Sequence, residues 1–301
     1  MKRVAVDIGH LADLLAENLR LVAVDLTPLK VECAWPVFKA TSIGCEPMFV
    51  KVTEPEAAER ALAFLSAAER PFLPRPVLPA ALEFCGHSVL CLKWKSAARV
   101  NAEDMTDGQL RSFLDGCISL SEALAAYRGP VARLEEEDSP RGEYAKLNCY
   151  AIRHRIAGRL IRPLLSLPEA ERSYGGRRLV TIHGDLQPKN YGFDGDRFAA
   201  VFDTDDLTQG LACEDAAYAF TERARRSELT EEKRRRLASL FRRMVEMSPW
   251  PADEWRIAVN HARLRIAARR LDNHPDSAFI AFDIRRRDAP LLHLLEALRG
   301  L

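Results

Sequence analysis

One stretch of this chain carries more chemical information than any other: HGDLQPKN at 183–190, YGFDGDRF at 191–198 and AAVFDTDD at 199–206. An apolar, β-prone run at Leu179–Ile182 precedes it, and helical patterns dominate on both sides. The stretch is therefore predicted to form short strands and polar loops within a helical part of the chain. Three of its polar side chains, Asp185, Asn190 and Asp203, are the candidates for chemistry.

A hairpin is predicted in the second half of this stretch. The dipeptide Asp194-Gly195 is a strong hairpin-turn signal. A turn at this place sets Phe193 opposite Phe198. It also brings Asp203 close to Asn190, and Asp185 is then one short loop away.

Together, Asp185, Asn190 and Asp203 suit phosphoryl transfer. An asparagine amide oxygen and an aspartate carboxylate are hard ligands for Mg²⁺ that bridges phosphate oxygens. A second carboxylate, five positions before the asparagine, can accept the proton of an attacking hydroxyl. The spacing D-x-x-x-x-N with a later Asp is the catalytic-loop pattern of protein kinases. The alternative for Asp185 is a turn former or cap, and His183 is interpreted as a structural residue rather than the base.

The run His183-Gly184-Asp185, then Asn190, then Val201-Phe202-Asp203 resembles the aminoglycoside phosphotransferase and choline kinase family. The resemblance implies a protein-kinase-like α+β fold with two lobes, a small β-rich N-terminal lobe and a larger, mainly helical C-terminal lobe. It implies an enzyme that uses ATP or GTP to phosphorylate a hydroxyl of a small molecule. It further implies that Asp185 is the catalytic base and that Asn190 and Asp203 hold Mg²⁺.

A lysine in an apolar, β-prone run, Lys51, fits the kinase strand that holds the α- and β-phosphates of the nucleotide. The helix predicted after it offers Glu56 and Glu59 as the partner that orients the lysine. Glu59 is preferred, although both lie on nearly the same helix face and spacing does not decide between them. The base of the nucleotide is expected to bind backbone groups around Leu92–Trp94. No G-x-G-x-x-G precedes the lysine.

The order of the remaining elements agrees with two lobes. A helix is predicted over residues 8–19, followed by strands and one helix in the N-terminal third and by helices thereafter. The strands are predicted at Leu29–Thr41, Met48–Thr53, Val77–Phe84 and Ser88–Trp94, and the helix at Pro55–Ala68. Further helices are predicted at Asp104–Tyr127, Glu143–Leu165, 213–226, 230–247, 252–272 and 289–299, with a loop at Leu134–Asp138. The lobes are assigned to 1–94 for the nucleotide and 95–301 for catalysis and the acceptor, with a hinge near Trp94–Ala98.

The composition of the chain argues against several classes of protein. The 301 residues include 44 basic and 43 acidic side chains, a net charge of +1, which argues against a nucleic-acid partner bound through its phosphates. No apolar run approaches the roughly 20 residues of a membrane span, so no membrane association is expected. The seven cysteines are scattered and form no CxxC pair, which predicts neither a disulfide framework nor a zinc site and favours the cytoplasm.

Two other functions remain as alternatives. A non-catalytic pseudokinase or scaffold on the same fold would be expected to lack at least one member of the set Lys51, Asp185, Asn190 and Asp203. A protein kinase is disfavoured because no Ala-Pro-Glu follows Asp203. The helical spacing of Arg256, Arg263 and Arg270 indicates either a wall of the acceptor pocket that favours an anion or a solvated face. Lys189 either touches a phosphate or points to water.

Overall fold

The computed structural model describes residues 6–29, 35–131, 139–154, 159–205, 207–226, 228–273 and 280–301. The strands are β1 Asp25–Pro28, β2 Val37–Thr41, β3 Met48–Thr53, β4 Leu82–Phe84, β5 His87–Lys93, β6 Val180–Ile182, β7 Tyr191–Asp194, β8 Arg197–Val201 and β9 Thr208–Gly210. The helices are α1 Ile8–Leu19, α2 Pro55–Ala67, α3 Asp107–Ala126, α4 Pro140–Arg153, α5 Arg162–Leu165, α6 Glu214–Ala224, α7 Glu231–Met247, α8 Ala252–Asn273, α9 Ile280–Asp288 and α10 Leu292–Ala297.

The N-terminal strands form one antiparallel sheet in the order β1-β2-β3-β5-β4. The strand β3 is central, and Lys51 on it is paired with Val37 on one side and Leu90 on the other. The edge strand β1 was not predicted because it has four residues with a single buried side chain. The predicted strand Val77–Phe84 is regular only over β4, since Pro79 cannot donate to a sheet ladder.

The remainder of the chain is mainly helical, with two short two-stranded sheets, β6–β9 and β7–β8. Within the described residues, the predicted helix Glu143–Leu165 is not continuous and includes the separate helices α4 and α5. The first ends before His154, and the second has Pro163 in its first turn, where a missing N–H costs nothing. Helix α9 was not predicted. The loop predicted at Leu134–Asp138 lies outside the described residues.

Hydrophobic cores fix the position of the lobes. One core lies between α1 and the sheet, around Leu11, Leu15 and Val50. A second is continuous from α2 and β5 through α3 to α6, α7 and α8, so apolar packing crosses from the sheet to the helices. A third packs α4 and α5 against α8 and α9. This is the two-lobed α+β fold that the sequence predicted. None of the described helices is both long and apolar enough to cross a membrane.

Candidate active site

The predicted hairpin is formed by β7 and β8, and it is anchored on α3. Phe193 pairs with Phe198 as expected. The turn is Gly195-Asp196, with Gly195 at a φ of 60°, one residue later than the sequence signal because Asp194 pairs with Arg197. The side-chain nitrogen Nε2 of Gln109 on α3 donates to the carbonyl of Gly195 at 2.9 Å, so the turn is held by the start of this helix.

The loop between β6 and β7 is shaped by a carboxylate that sequence reasoning missed. Buried Asp215, on α6, accepts hydrogen bonds from the backbone N–H groups of His183 at 2.7 Å and Gly184 at 3.0 Å. Nε2 of His183 lies 2.8 Å from the carbonyl oxygen of Phe202, which ties the loop to the end of the hairpin. Gly184 has a φ of 81°, which a side chain would resist. Burial raises the pKa of Asp215.

Asp185 lies at the centre of a hydrogen-bond network on this loop. The amide nitrogen of Asn190 donates to its carboxylate Oδ2 and to its backbone carbonyl, both at 2.9 Å. The amide nitrogen of Gln187 lies 2.8 Å from each carboxylate oxygen. Nζ of Lys189 is 3.9 Å from Oδ2. The carboxylate is thus fixed in orientation by its own loop, as a proton acceptor has to be.

Asp203 closes the site from the hairpin side. The N–H of Phe202 donates to the carbonyl of Asn190 at 2.8 Å, which brings the two ends of the stretch together. The backbone of Asp203 is left-handed, with a φ of 63°, a strained conformation of a kind that clusters at functional sites. The structure therefore brings Asp185, Asn190 and Asp203 into one place.

Lys51 reaches this group across the lobes and binds two aspartates. Its Nζ contacts the carboxylate of Asp203 and lies 2.8 and 2.6 Å from the two oxygens of Asp205. The hydroxyl of Thr53 lies 3.3 Å from Asp205 Oδ2. Burial lowers the pKa of Lys51, but the two carboxylates outweigh it and raise the pKa overall. Burial and the neighbouring Asp203 raise the pKa of Asp205 to about 6 despite the lysine.

The partner of Lys51 differs from the sequence expectation, which gave this role to Glu59 or Glu56. Both glutamates are exposed on α2, whose buried face includes Ala57 and Ala61. At 3.6 residues per turn, Glu59 lies about 200° around the helix from Ala57 and so points away from the core. In the part of the chain that the structure describes, the ion pairs of Lys51 are those with the two aspartates.

A cavity of about 200 Å³, here called the interlobe cleft, opens beside these residues. It is lined by Leu29, Val37, Phe49, Trp94, Lys95, Ser96, Ala97, Arg99, Lys189, Asn190, Phe202 and Asp203. Both apolar side chains and polar groups contribute to this lining. Trp94 lines the cleft, whereas Leu92 is buried in the sheet, paired with Phe49 and Pro76. The residues after β5 that line the cleft are 94–97, and the N–H of Trp94 donates to the carbonyl of Pro47 at 3.1 Å.

The interlobe cleft offers oxygen ligands of the kind that Mg²⁺ takes. Asp203 offers a carboxylate. The amide nitrogen of Asn190 is used by Asp185, so its amide oxygen is the atom left for a cation. Among the described residues no three His, Cys, Asp or Glu side chains form a metal-binding group. A site of one carboxylate and one amide fits a cation that is also held by phosphate oxygens, as Mg²⁺ in nucleotide sites is.

A second cavity of about 410 Å³, here called the polar pocket, lies on the other side of Asp185. It is lined by Glu143, Lys146, Ile182, Gly184, Asp185, Gln187, Lys189, Thr208, Gln209, Glu214, His261, Arg265, Ala268, Arg269 and Asp272. The arginines that sequence spacing singled out are not in this wall. Arg263 is buried against Asp288 at 2.6 Å, and Arg270 pairs with Asp283 at 3.0 Å.

Beneath the polar pocket lies a buried charged cluster that the sequence did not indicate. Nδ1 of His261 is 3.0 Å from Glu214 Oε2, and its Nε2 is 3.6 Å from Glu143 Oε2. The hydroxyl of Tyr174 lies 3.1 Å from the same Nδ1. Burial lowers the pKa of His261, but the two carboxylates outweigh it and raise the pKa above the ordinary value of 6.5.

This cluster predicts a pH-dependent stability. Because the pKa of His261 is raised in the folded state, its contribution is complete below about pH 6.5 and is lost as pH rises through the folded pKa. As the pH rises from about 6.5 through the folded pKa, the free energy of unfolding is expected to fall by at most about 1.4 kcal/mol per pH unit. Urea unfolding of the wild type and of His261→Asn measures this slope, which the variant should lack.

The matched control for this prediction is His293→Asn, since His293 is half-exposed on α10 and its ring nitrogen is 3.8 Å from Glu296. The control should keep the wild-type slope, because a solvated pair contributes little. An unchanged slope in His261→Asn would contradict the assignment of the buried charge.

With this geometry in place, comparisons with known proteins are informative. Residues 36–250 match the phosphotransferase enzyme family. The chain belongs to this family. Comparison with curated protein sequences gives no match for this phosphotransferase. The matched residues extend from β2 to the end of α7, and they include residues 183–206 and Lys51.

Solved structures share the fold of this phosphotransferase. The amicoumacin kinase hAmiN, in complex with AMP-PNP, Ca²⁺ and Ami, superposes with a TM-score of 0.63 at 12% identity, over 92% of each chain. A thermostable mutant of the aminoglycoside phosphotransferase APH(4)-Ia with ADP and hygromycin B gives 0.59 at 15% identity, over 94% of this chain and 98% of the other. The macrolide 2'-phosphotransferase MphH from Brachybacterium faecium gives 0.55 at 16% identity, over 95% and 97%.

Proposed function

We propose that this phosphotransferase moves the γ-phosphoryl group of ATP or GTP to a hydroxyl group of a small molecule. The observation that carries the proposal is the junction of two cavities at one loop. Asp185 faces the polar pocket, whereas Asn190 and Asp203 line the interlobe cleft. The side-chain nitrogen of Asn190 lies 2.9 Å from the carboxylate Oδ2 of Asp185. A nucleotide in the cleft and an acceptor in the pocket would therefore meet at this loop.

Each residue has a role that follows from its place. The base of the nucleotide would bind backbone groups at the hinge, from Trp94 onward, and Lys51 would hold the α- and β-phosphates. Asn190 and Asp203 would hold Mg²⁺, which neutralises charge on the phosphates when bound. Asp185 would orient the acceptor hydroxyl and accept its proton. The relatives hAmiN and APH(4)-Ia bind AMP-PNP and ADP respectively, and hAmiN binds Ca²⁺, which supports a nucleotide and a divalent cation here.

The wall of the polar pocket supports a choice among acceptors. Its carboxylates are Glu143, Asp185, Glu214 and Asp272, and its Lys and Arg side chains are Lys146, Lys189, Arg265 and Arg269. Four negative and four positive side chains balance one another, and His261, which also lines the pocket, adds one positive charge when it is protonated. A polycation would favour an excess of carboxylates and an anion an excess of arginines. The balance favours a neutral or zwitterionic acceptor with several hydroxyl groups.

Thermal-shift and phosphoryl-transfer measurements test the proposal together. Melting is compared with AMP-PNP, ADP and a GTP analogue, each with and without Mg²⁺, because a ligand that binds only the folded state raises Tm. Transfer from ATP or GTP is then followed by ³¹P spectroscopy with neutral sugars, amino alcohols, hygromycin B and a macrolide. Asp203→Asn is expected to lose the Mg²⁺-dependent part of the shift. Nucleotide binding without transfer to any acceptor would favour a pseudokinase instead.

A further inference from the structure

Lys189 occupies a singular position between the two cavities. Of the residues that the structure describes, it alone lines both the interlobe cleft and the polar pocket. Its side chain is 31% exposed, and its Nζ lies 3.9 Å from Asp185 Oδ2. Its neighbour Asn190 is fixed by a turn in which the Asn190 N–H donates to the carbonyl of Gln187 at 2.7 Å. The loop thus carries a cation to the junction itself.

The other cations near the cleft are placed for different tasks. Lys51 is buried and bound to two aspartates on the far side of the junction. The ammonium of Lys95 donates to the carbonyl of Pro71, and burial lowers its pKa. Arg99 also lines the cleft, and none of these three cations lines the polar pocket. A group that leaves the cleft for the pocket therefore passes Lys189.

The group that makes this passage in the proposed reaction is the γ-phosphoryl group. The bond between its phosphorus and the β,γ-bridging oxygen breaks, and a bond to the acceptor oxygen forms. The bridging oxygen keeps the electron pair and leaves with the nucleoside diphosphate, and the hydroxyl proton goes to Asp185. During this transfer the three equatorial oxygens carry the negative charge, and a fixed cation beside them lowers the barrier.

We propose that the ammonium group of Lys189 contacts the equatorial oxygens of the phosphoryl group during transfer. Lys189 is then a further catalytic residue of this phosphotransferase. The inference rests on the proposed function, because it needs a nucleoside triphosphate in the cleft. Asp185 at 3.9 Å helps to hold the ammonium on the path of the phosphoryl group, since opposite charges at this distance attract.

The test compares nucleotides that differ in the γ-phosphoryl group. Binding of AMP-PNP and of ADP, each with Mg²⁺, is measured by calorimetry for the wild type, Lys189→Gln and Lys189→Arg. Lys189→Gln is expected to bind AMP-PNP about 10-fold more weakly, because a charge-assisted hydrogen bond is lost, and ADP as the wild type does. Its transfer rate should fall about 100-fold. Lys189→Arg should recover most of both losses, since it keeps the charge.

The control is Lys233→Gln, which removes an exposed lysine on α7 that is 3.0 Å from Asp104. It should match the wild type in every measurement. An unchanged AMP-PNP affinity and rate in Lys189→Gln, or equal losses for AMP-PNP and ADP, would overturn the inference while the proposed function stands. A wild type that binds neither nucleotide would overturn the proposed function and the inference together. Equal Tm values across the variants confirm that each is folded.

Discussion

Asp185→Asn is expected to lower the turnover number by about 10²- to 10⁴-fold, with nucleotide affinity and Tm close to those of the wild type. The amide of asparagine has the shape of the carboxylate but cannot accept the hydroxyl proton. The loop should keep its conformation, because the backbone carbonyl of Asp185 still accepts from Asn190 at 2.9 Å. Steady-state kinetics with the acceptor found by the panel gives the turnover number, and calorimetry with Mg²⁺ and AMP-PNP gives the affinity.

Asp194→Asn is the matched control for this variant. Asp194 is exposed on the hairpin and pairs with Arg197 at 2.6 Å, so its removal changes one carboxylate of the same stretch without touching the junction. Turnover of the control should equal that of the wild type. If Asp185→Asn turned over as fast as the control, Asp185 would have no part in the proton transfer.

The second large effect is expected in stability. Lys51→Met should lower the free energy of unfolding by about 3–5 kcal/mol, because it leaves the carboxylate of Asp205 buried without its cation. Asp205 is 6% exposed, and the lysine is 4% exposed, so solvent offers little compensation. Urea unfolding at neutral pH measures the loss. Lys93→Met, at an exposed position on β5, should change it by less than about 1 kcal/mol.

A double variant separates the buried charge from general damage to the core. Lys51→Met combined with Asp205→Asn should recover most of the lost stability, because the neutral amide still accepts from Thr53 and the only carboxylate left without its cation is that of Asp203, which is partly exposed. Nucleotide affinity should stay low in the double variant, since the lysine proposed to hold the phosphates is absent. Additive losses in the two single variants and their combination would contradict a direct interaction.

Much of the site could be predicted because it is local in sequence. Asn190 and Phe198 belong to one hairpin whose turn signal, side-chain alternation and length agree with one another. The strand that carries Lys51 could also be predicted, because its sequence is an apolar run interrupted by a single lysine, as expected of a central strand. The family resemblance rested on this same stretch, and the match to residues 36–250 confirmed it.

The partners of the site residues were not predictable in the same way. Lys51 and Asp205 are separated by 154 positions, so only the packing of the two lobes makes them neighbours. A signal for Asp205 did exist in the run Asp203-Thr204-Asp205, but such a run also suits a solvated turn. Asp206, the next residue in the chain, lies outside the described residues. Burial, which decides between these interpretations, is a property of the fold.

The arginine spacing shows a different limit. A period of seven correctly places Arg256, Arg263 and Arg270 along one side of α8, but it does not say what that side contacts. The partner of Arg263 is Asp288 on α9, a helix that was not predicted. The polar pocket is instead lined by Arg265 and Arg269 of the same helix.

The origin of the carboxylates beside Lys51 has a consequence for control of the enzyme. In protein kinases the corresponding carboxylate belongs to a helix that swings, and that motion turns activity on and off. Here both acidic side chains lie two positions apart on the loop that follows β8. Helix α2 reaches the same loop through Arg60, whose guanidinium nitrogens lie 3.4 Å from the carbonyl oxygen of Asp205. We therefore expect a movement of α2 to act on Lys51 through the backbone of this loop rather than through a carboxylate of the helix.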